Sequence, residues 1–303
     1  MLQQFNERNR DLIVNINGEL VHRDRAGISP FDSAVQNGDA VWEGLRLYNG
    51  RIFKLIEHLD RLRHSAAALA YADVPSHDAI IGEIRRTLAA NQMTDNVHIR
   101  LTLTRGVKFT SGMDPRLNTS PPTLIVLAEH KAPVYDKRGL RFITASVRRI
   151  PPECLDQKIH SCNMLNSILA KIQANQAGVD DAIMLDLRGF VAETNATHLF
   201  AVHHGQVLTS HPHSCPEGIT RATVLDLCAI HGIPHQVRDL SLSEIHRADE
   251  VFCTGTMGEL ASVVEVDGRT IGNGTVGPMT RRLSELYQEL TAEEGYPITV
   301  GIE

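Results

Sequence analysis

Residues 40–69, AVWEGLRLYNGRIFKLIEHLDRLRHSAAAL, decide the fold class. Residues 40–48 read as a strand, and Asn49-Gly50 as a tight turn into a short return strand, 51–53. Then Leu55, Ile56, Leu59, Leu62, Ala66 and Leu69 recur at helical spacing, which predicts an amphipathic helix over 55–71. A strand pair that runs straight into such a helix points to an α+β layer.

The same grammar continues outward. Upstream, residues 12–16 and 19–22 form a hairpin around Asn17-Gly18. Downstream, Ser76 starts a second helix with Ile80, Ile84 and Leu88 on its apolar face. Residues 97–104 and 123–128 are β-rich, and 114–122 reads as an exposed loop. Residues 1–130 are therefore expected to be an α+β domain, with two helices on one face of a largely antiparallel sheet. The run EHKAPVYDKRG (129–139) has linker composition, so 131–139 is expected to join this domain to a second, 140–303. There, strands are expected at 140–148, 181–187, 190–194, 198–202, 206–209 and 250–253. Helices are expected near 164–177, 219–231 and 278–293, outside a β-rich core.

Composition removes several function classes. The 303 residues carry 30 Lys+Arg against 36 Asp+Glu, a net charge of −6, whereas nucleic-acid binders show a strongly basic face. No apolar run approaches the roughly 20 residues that cross a bilayer. The polar start, MLQQFNERNRD, lacks the apolar core of a signal peptide. Five scattered cysteines, odd in number and without CxxC spacing, fit a reducing cytoplasm. Only six of the basic residues are lysine (54, 108, 131, 137, 158 and 171), so amine chemistry has few candidates.

Three features suggest a site. Gly218-Ile219-Thr220-Arg221 opens a helix, whose exposed N–H groups and Thr hydroxyl suit an anion; an ordinary glycine turn with a Thr cap is the alternative. Thr254-Gly255-Thr256 is a second such turn, and two could grip one phosphate. Glu193 ends an apolar strand, where a carboxylate wants a cationic partner unless it faces water. His211-Pro212-His213-Ser214-Cys215 and His203-His204 lack a matching fourth ligand, so no metal is expected.

Six segments in order carry a family resemblance. They are Gly38-Asp39-Ala40-Val41-Trp42-Glu43-Gly44, Glu57-His58-Leu59-Asp60-Arg61-Leu62 and Asn163-Met164-Leu165-Asn166-Ser167-Ile168-Leu169-Ala170-Lys171. The others are Gly189-Phe190-Val191-Ala192-Glu193-Thr194, Gly218-Ile219-Thr220-Arg221 and Thr254-Gly255-Thr256. Together they resemble the class IV (fold-type IV) aminotransferases, which use pyridoxal 5′-phosphate and include branched-chain and D-amino-acid aminotransferases and aminodeoxychorismate lyase. The resemblance implies an α+β, two-domain architecture, transamination between an amino acid and a 2-oxo acid, and a cytoplasmic homodimer. Lyase chemistry, and a descendant that does not transaminate, are the alternatives.

The resemblance also implies roles. Arg61, Ile219, Thr220 and Thr256 match the phosphate-binding residues, and Glu193 the carboxylate facing the ring nitrogen. Arg61 could instead make a surface pair with Glu57. Arg100, Gly255 and Met257 fall on the substrate side, and Arg105 could also clamp a carboxylate. Asn37 and Met164 replace family tyrosines. In Lys158-Ile159-His160-Ser161-Cys162-Asn163 the family's Schiff-base lysine position holds His160. Imidazole cannot make that bond but can carry a proton near neutrality. If 158–160 is a strand, Lys158 points the same way as His160, two residues on. Lys158 and His160 are thus the catalytic candidates.

Overall fold

A computed structural model describes residues 3–132 and 138–298. Most of the expected linker, 133–137, lies outside the described residues. The chain divides into two compact units. The N-terminal unit comprises 3–132, 159–163 and the residues from 291 on, and the C-terminal unit 138–158 and 164–290. The division is not sequential: a five-residue segment, Ile159–Asn163, returns to the N-terminal unit.

The N-terminal unit holds a seven-stranded sheet. Its order is Tyr296–Pro297, Arg51–Ile52, Ala40–Tyr48, Val97–Thr104, Thr123–His130, Ile13–Ile16, Glu19–His22, and every pair is antiparallel. The Asn49-Gly50 turn has φ of 46° and 76°, which only a primed turn with such residues accommodates cheaply. The helices Leu55–Ala68 and His77–Ala90 form as expected, the second capped by the Ser76 side chain, which accepts from the Ala79 N–H. Alternation along the strands sorts the faces. Val41, Leu45 and Leu47 pack with Val97, Ile99, Leu101, Val126 and Ala128 against Leu55, Leu59, Leu62, Ile80 and Ile84. Glu43 has the parity of this apolar set, and so a carboxylate is carried toward the helices.

The C-terminal unit holds a nine-stranded sheet. Its order is His235–Val237, Gln206–Thr209, His198–His203, Glu250–Gly255, Glu259–Val266, Leu140–Thr144, Asp181–Leu185, Val191–Thr194, with Arg269–Thr270 paired to Glu259–Val266. The sheet is mixed: Leu140–Thr144 runs parallel to both its neighbours. Its core gathers Phe142, Ile183, Leu199, Ala201, Val251, Cys253, Ala261 and Val263. Helices Leu165–Gln176, Ile219–Ile230 and Pro278–Glu293 match the expected ones. The last starts on a buried carboxylate, since Met279 and Thr280 donate their N–H groups to Glu250 at 2.9 and 2.8 Å.

Three expectations need correcting. The strand expected over 140–148 stops at Thr144, where Asp267 takes both its N–H (2.6 Å) and its hydroxyl (2.8 Å). The loop 114–122 contains a 3-10 turn, Pro115–Leu117. Residues 158–160 are not a strand: Asp156 accepts the Lys158 N–H at 2.9 Å and holds a side-chain-bonded turn. Lys158 and His160 therefore share no strand parity.

Candidate functional site

In the N-terminal unit the organising group is Glu43. Its side chain is wholly buried, and a buried carboxylate demands cations and hydrogen bonds. Helix Leu55–Ala68 supplies them from positions 58 and 61, one turn apart on one face. Arg61 donates from Nε to Oε1 and from Nη2 to Oε2, both at 2.7 Å. His58 Nδ1 lies 2.6 Å from Oε2, and His160 Nδ1 lies 3.2 Å from Oε1. Burial pushes the Glu43 carboxyl up, but His160, Arg61 and His58 outweigh it and hold the group well below the usual carboxylate range. Glu57, the alternative partner for Arg61, pairs with Lys54 at 3.3 Å.

His160 is fixed by its backbone as well as by Glu43. The Trp42 N–H donates to the His160 carbonyl at 3.0 Å, and the Cys162 N–H donates to the Ala40 carbonyl at 2.8 Å. The segment thus lies along the start of strand Ala40–Tyr48. The His160 N–H donates to Ser65 Oγ at 3.0 Å. Its ring stacks on Trp42, centroids 4.3 Å apart. Burial lowers the His160 pKa, against the pull of Glu43, which favours the uncharged imidazole. The Arg100 guanidinium also packs on Trp42, 3.7 Å from the ring centroid. Arg105 is committed to Asp39, Nε to Oδ2 at 2.6 Å.

In the C-terminal unit Glu193, buried on strand Val191–Thr194, pairs with Arg149 at 2.6 Å. Arg149 also donates to Ser167 Oγ (2.9 Å), the Ser214 carbonyl (3.2 Å) and Gln157 (3.2 Å). Sequence reading missed Arg149 entirely. Cys215 and His198 complete a buried group in which the candidate ligand atoms of Glu193, His198 and Cys215 lie within 4.8 Å of one another. Burial, then Glu193, keep the Cys215 thiol well above its ordinary range. With Arg149 against the carboxylate, this group already contains a fixed cation. His211 and His213, singled out with Cys215 in the sequence, are exposed.

The start of helix Ile219–Ile230 has Gly218 as its N-cap and no side-chain cap bond. A Cβ on Gly218 would stand 2.2 Å from the His198 ring, which is why glycine is needed there. His198 pairs in register with Thr254, so their side chains share one face of the sheet. The Thr254 hydroxyl is buried and has no hydrogen-bond partner among the described residues. Thr220 is buried, while Ile219, Gly255, Thr256 and Met257 are half-buried. Uncapped helical N–H groups and a buried hydroxyl suit a phosphate. A buried carboxylate suits a protonated ring nitrogen. The donor set fits pyridoxal phosphate. Lys158 is about half exposed and lies 3.7 Å from Glu217.

Residues 40–266 match the family model described as amino-transferase class IV. Branched-chain-amino-acid aminotransferase-like protein 2 of Arabidopsis thaliana is 56% identical over 291 residues, 96% of this chain and 52% of its own. The chain thus spans about half the length of that relative. D-alanine aminotransferase of Bacillus licheniformis is 30% identical over 288 residues, covering 93% of this chain and 98% of its own. A crystal structure of the T.th. branched-chain amino acid aminotransferase complexed with N-(5'-phosphopyridoxyl)-L-glutamate has a TM-score of 0.87. It is 33% identical and covers 93% of this chain and 94% of its own.

Proposed function

The chain belongs to the class IV aminotransferases, whose α+β, fold-type IV architecture it shares, and on that premise we propose that it transfers an amino group between a small amino acid and a 2-oxo acid. The observation that carries the proposal is the uncapped start of helix Ile219–Ile230 beside the face that holds Glu193, His198 and Thr254. Bound pyridoxal phosphate supplies a reactive aldehyde and an electron-withdrawing ring.

The protein's residues do the rest. We assign Ile219, Thr220, Thr256 and Arg61 to the phosphate, through helical N–H groups, hydroxyls and a cation. Glu193, paired with Arg149 at 2.6 Å, would hold the ring nitrogen and favour its protonated form. Arg100, Gly255 and Met257 are assigned to the substrate, with Arg100 for its carboxylate. Of the two proton-carrying candidates we favour His160, which is oriented by Glu43 and Trp42, over Lys158, which pairs with an exposed glutamate.

We further propose a homodimer in a reducing cytoplasm. Leu165, Ile168, Leu169 and Ile172 are between 44% and 74% exposed on helix Leu165–Gln176, and their i, i+3, i+4, i+7 spacing makes one apolar stripe. All five cysteines are unbridged. No helix among the described residues is long and apolar enough to cross a membrane.

The test is purified protein with added pyridoxal phosphate, an amino acid panel of both hands and a 2-oxo acid. Formation of the new amino acid supports the proposal; bound cofactor with no amino transfer across the panel overturns it. Borohydride reduction with peptide mapping then asks whether any lysine carries the cofactor. We expect none on Lys158.

A further inference from the structure

We propose that Glu43 is a positioning residue that fixes the His160 ring as its Nδ1–H tautomer and so presents Nε2 as the base of the proposed reaction. Counting hydrogen bonds on the carboxylate leads there. An ionised carboxylate offers only acceptors. Oε1 receives Arg61 Nε at 2.7 Å and faces His160 Nδ1 at 3.2 Å. Oε2 receives Arg61 Nη2 at 2.7 Å and faces His58 Nδ1 at 2.6 Å. Each oxygen therefore takes one bond from Arg61 and one from a histidine. Neither histidine contact can be made without a proton on Nδ1. In a neutral imidazole that leaves Nε2 unprotonated, with its lone pair available.

Position is fixed in two further ways. Trp42 stacks on the ring, and backbone bonds from Trp42 and to Ser65 hold the residue at both ends of its peptide. The groups facing His160 are Glu43 on strand Ala40–Tyr48 and Arg61 on helix Leu55–Ala68, with His58 sharing the carboxylate. When Nε2 takes a proton from the substrate α-carbon, the electron pair stays with the carbon. The ring becomes an imidazolium whose Nδ1–H remains on Glu43, and the same proton leaves Nε2 again, either to the carbon that the transfer reaction protonates or to water. Glu43 itself never takes a proton. The carboxylate thus supports the transient charge, while Arg61, on the same carboxylate, disfavours a permanent one.

This inference rests on the proposed transamination, and the experiment separates the two. Nitrogen-15 spectra of histidine-labelled full-length protein, assigned with His160→Gln, report the tautomer directly. At pH 7.5 we expect His160 protonated at Nδ1 and bare at Nε2. A proton on Nε2, or an imidazolium, overturns the proposal without any activity measurement. With pyridoxal phosphate and an α-deuterated amino acid, wild type should exchange the deuterium into water. His160→Gln should slow that exchange about 100-fold or more, the usual worth of a general base. Glu43→Gln should lose the single tautomer and slow exchange with it. Wild-type exchange rates in His160→Gln overturn the base role. Absence of both exchange and amino transfer in wild type sinks the transamination reading, while the tautomer alone still decides the role of Glu43. Should Glu43→Gln not fold, the wild-type spectrum remains decisive.

Discussion

Glu43 and Glu193 are both strand carboxylates buried in their units, and each is met by an arginine. They differ in where the cation comes from. The Glu43 partners lie at 58 and 61 on the next helix, so alternation on the strand and periodicity on the helix bring them together. Arg149 reaches Glu193 from outside any regular element, held by Ser167, Gln157 and a carbonyl. They differ also in company. Glu43 has two histidines on its oxygens, whereas Glu193 shares its surroundings with a thiol and the His198 ring. A carboxylate ringed by imidazoles is equipped to orient proton carriers. One paired with a guanidinium that three other groups hold in place is equipped to keep its position beside a ligand.

That contrast breaks most visibly at Arg149. Arg149→Met leaves the Glu193 carboxylate buried without its cation, which costs about 3–5 kcal/mol. Urea unfolding at pH 7.5 measures it, and a loss below ~1 kcal/mol would mean that Glu193 does not depend on Arg149. At Glu43 the same measurement should show less. Glu43→Gln keeps the shape and two acceptor positions, and Arg61 is 18% exposed and can be partly solvated. We expect a loss of about 2–3 kcal/mol. The dependence on acid sharpens the comparison. The folded pKa of Glu43 is depressed, so its stabilisation is present above the unfolded carboxyl value and is lost as pH falls through the folded one. Glu43→Gln should therefore lose less at pH 3 than at pH 7.5, relative to wild type.

Much of this was legible in the sequence because it follows from periodicity. Strand 40–48, the helix after it and the Ser76 cap follow from spacing and residue type, and Arg61 and Glu193 were singled out by resemblance. Glu43 sat unremarked inside a quoted motif, although its parity with Val41 and Leu45 is the signal that it is buried. What the sequence withheld has a physical reason. Arg149 and His198 reach the Glu193 group through tertiary packing, with no local pattern to announce it. The turn at 158–160 depends on a side-chain bond from Asp156, which competes with extended backbone. The return of Ile159–Asn163 to the first unit rests on backbone bonds to Ala40 and Trp42, which no periodicity encodes.

The other face of strand Ala40–Tyr48 offers a third test. His98, paired in register with Arg46, is buried with neither ring nitrogen hydrogen-bonded among the described residues. Burial first, then the charges of Lys131, Arg46 and Arg100, push its pKa down to about 3. Between the ordinary histidine value of about 6.5 and that point the unfolded chain binds a proton that the folded chain refuses, so stability falls as pH falls. His98→Phe removes this contribution. At pH 4.5 it should be worth about 2–3 kcal/mol relative to its effect at pH 7.5. Unchanged pH dependence in thermal melts would show that His98 is not held neutral.

The smallest effect is expected at Lys158, where the comparison moves from buried carboxylates to an exposed one. Lys158 faces Glu217 at 3.7 Å with side chains 51% and 68% exposed. Solvent screens such a pair, so Lys158→Ala should cost ~0–1 kcal/mol. The functional expectation is equally small. Its backbone is a turn rather than a strand, so no alternation aims its amine where His160 points. Pyridoxal-phosphate affinity, measured by equilibrium dialysis, and the α-deuterium exchange rate should both stay within about 2-fold of wild type, as for other exposed substitutions. A variant that keeps its fold but loses cofactor affinity would restore Lys158 as the covalent residue. His160 would then be the second member of a lysine–histidine pair, still oriented by Glu43 but no longer acting alone.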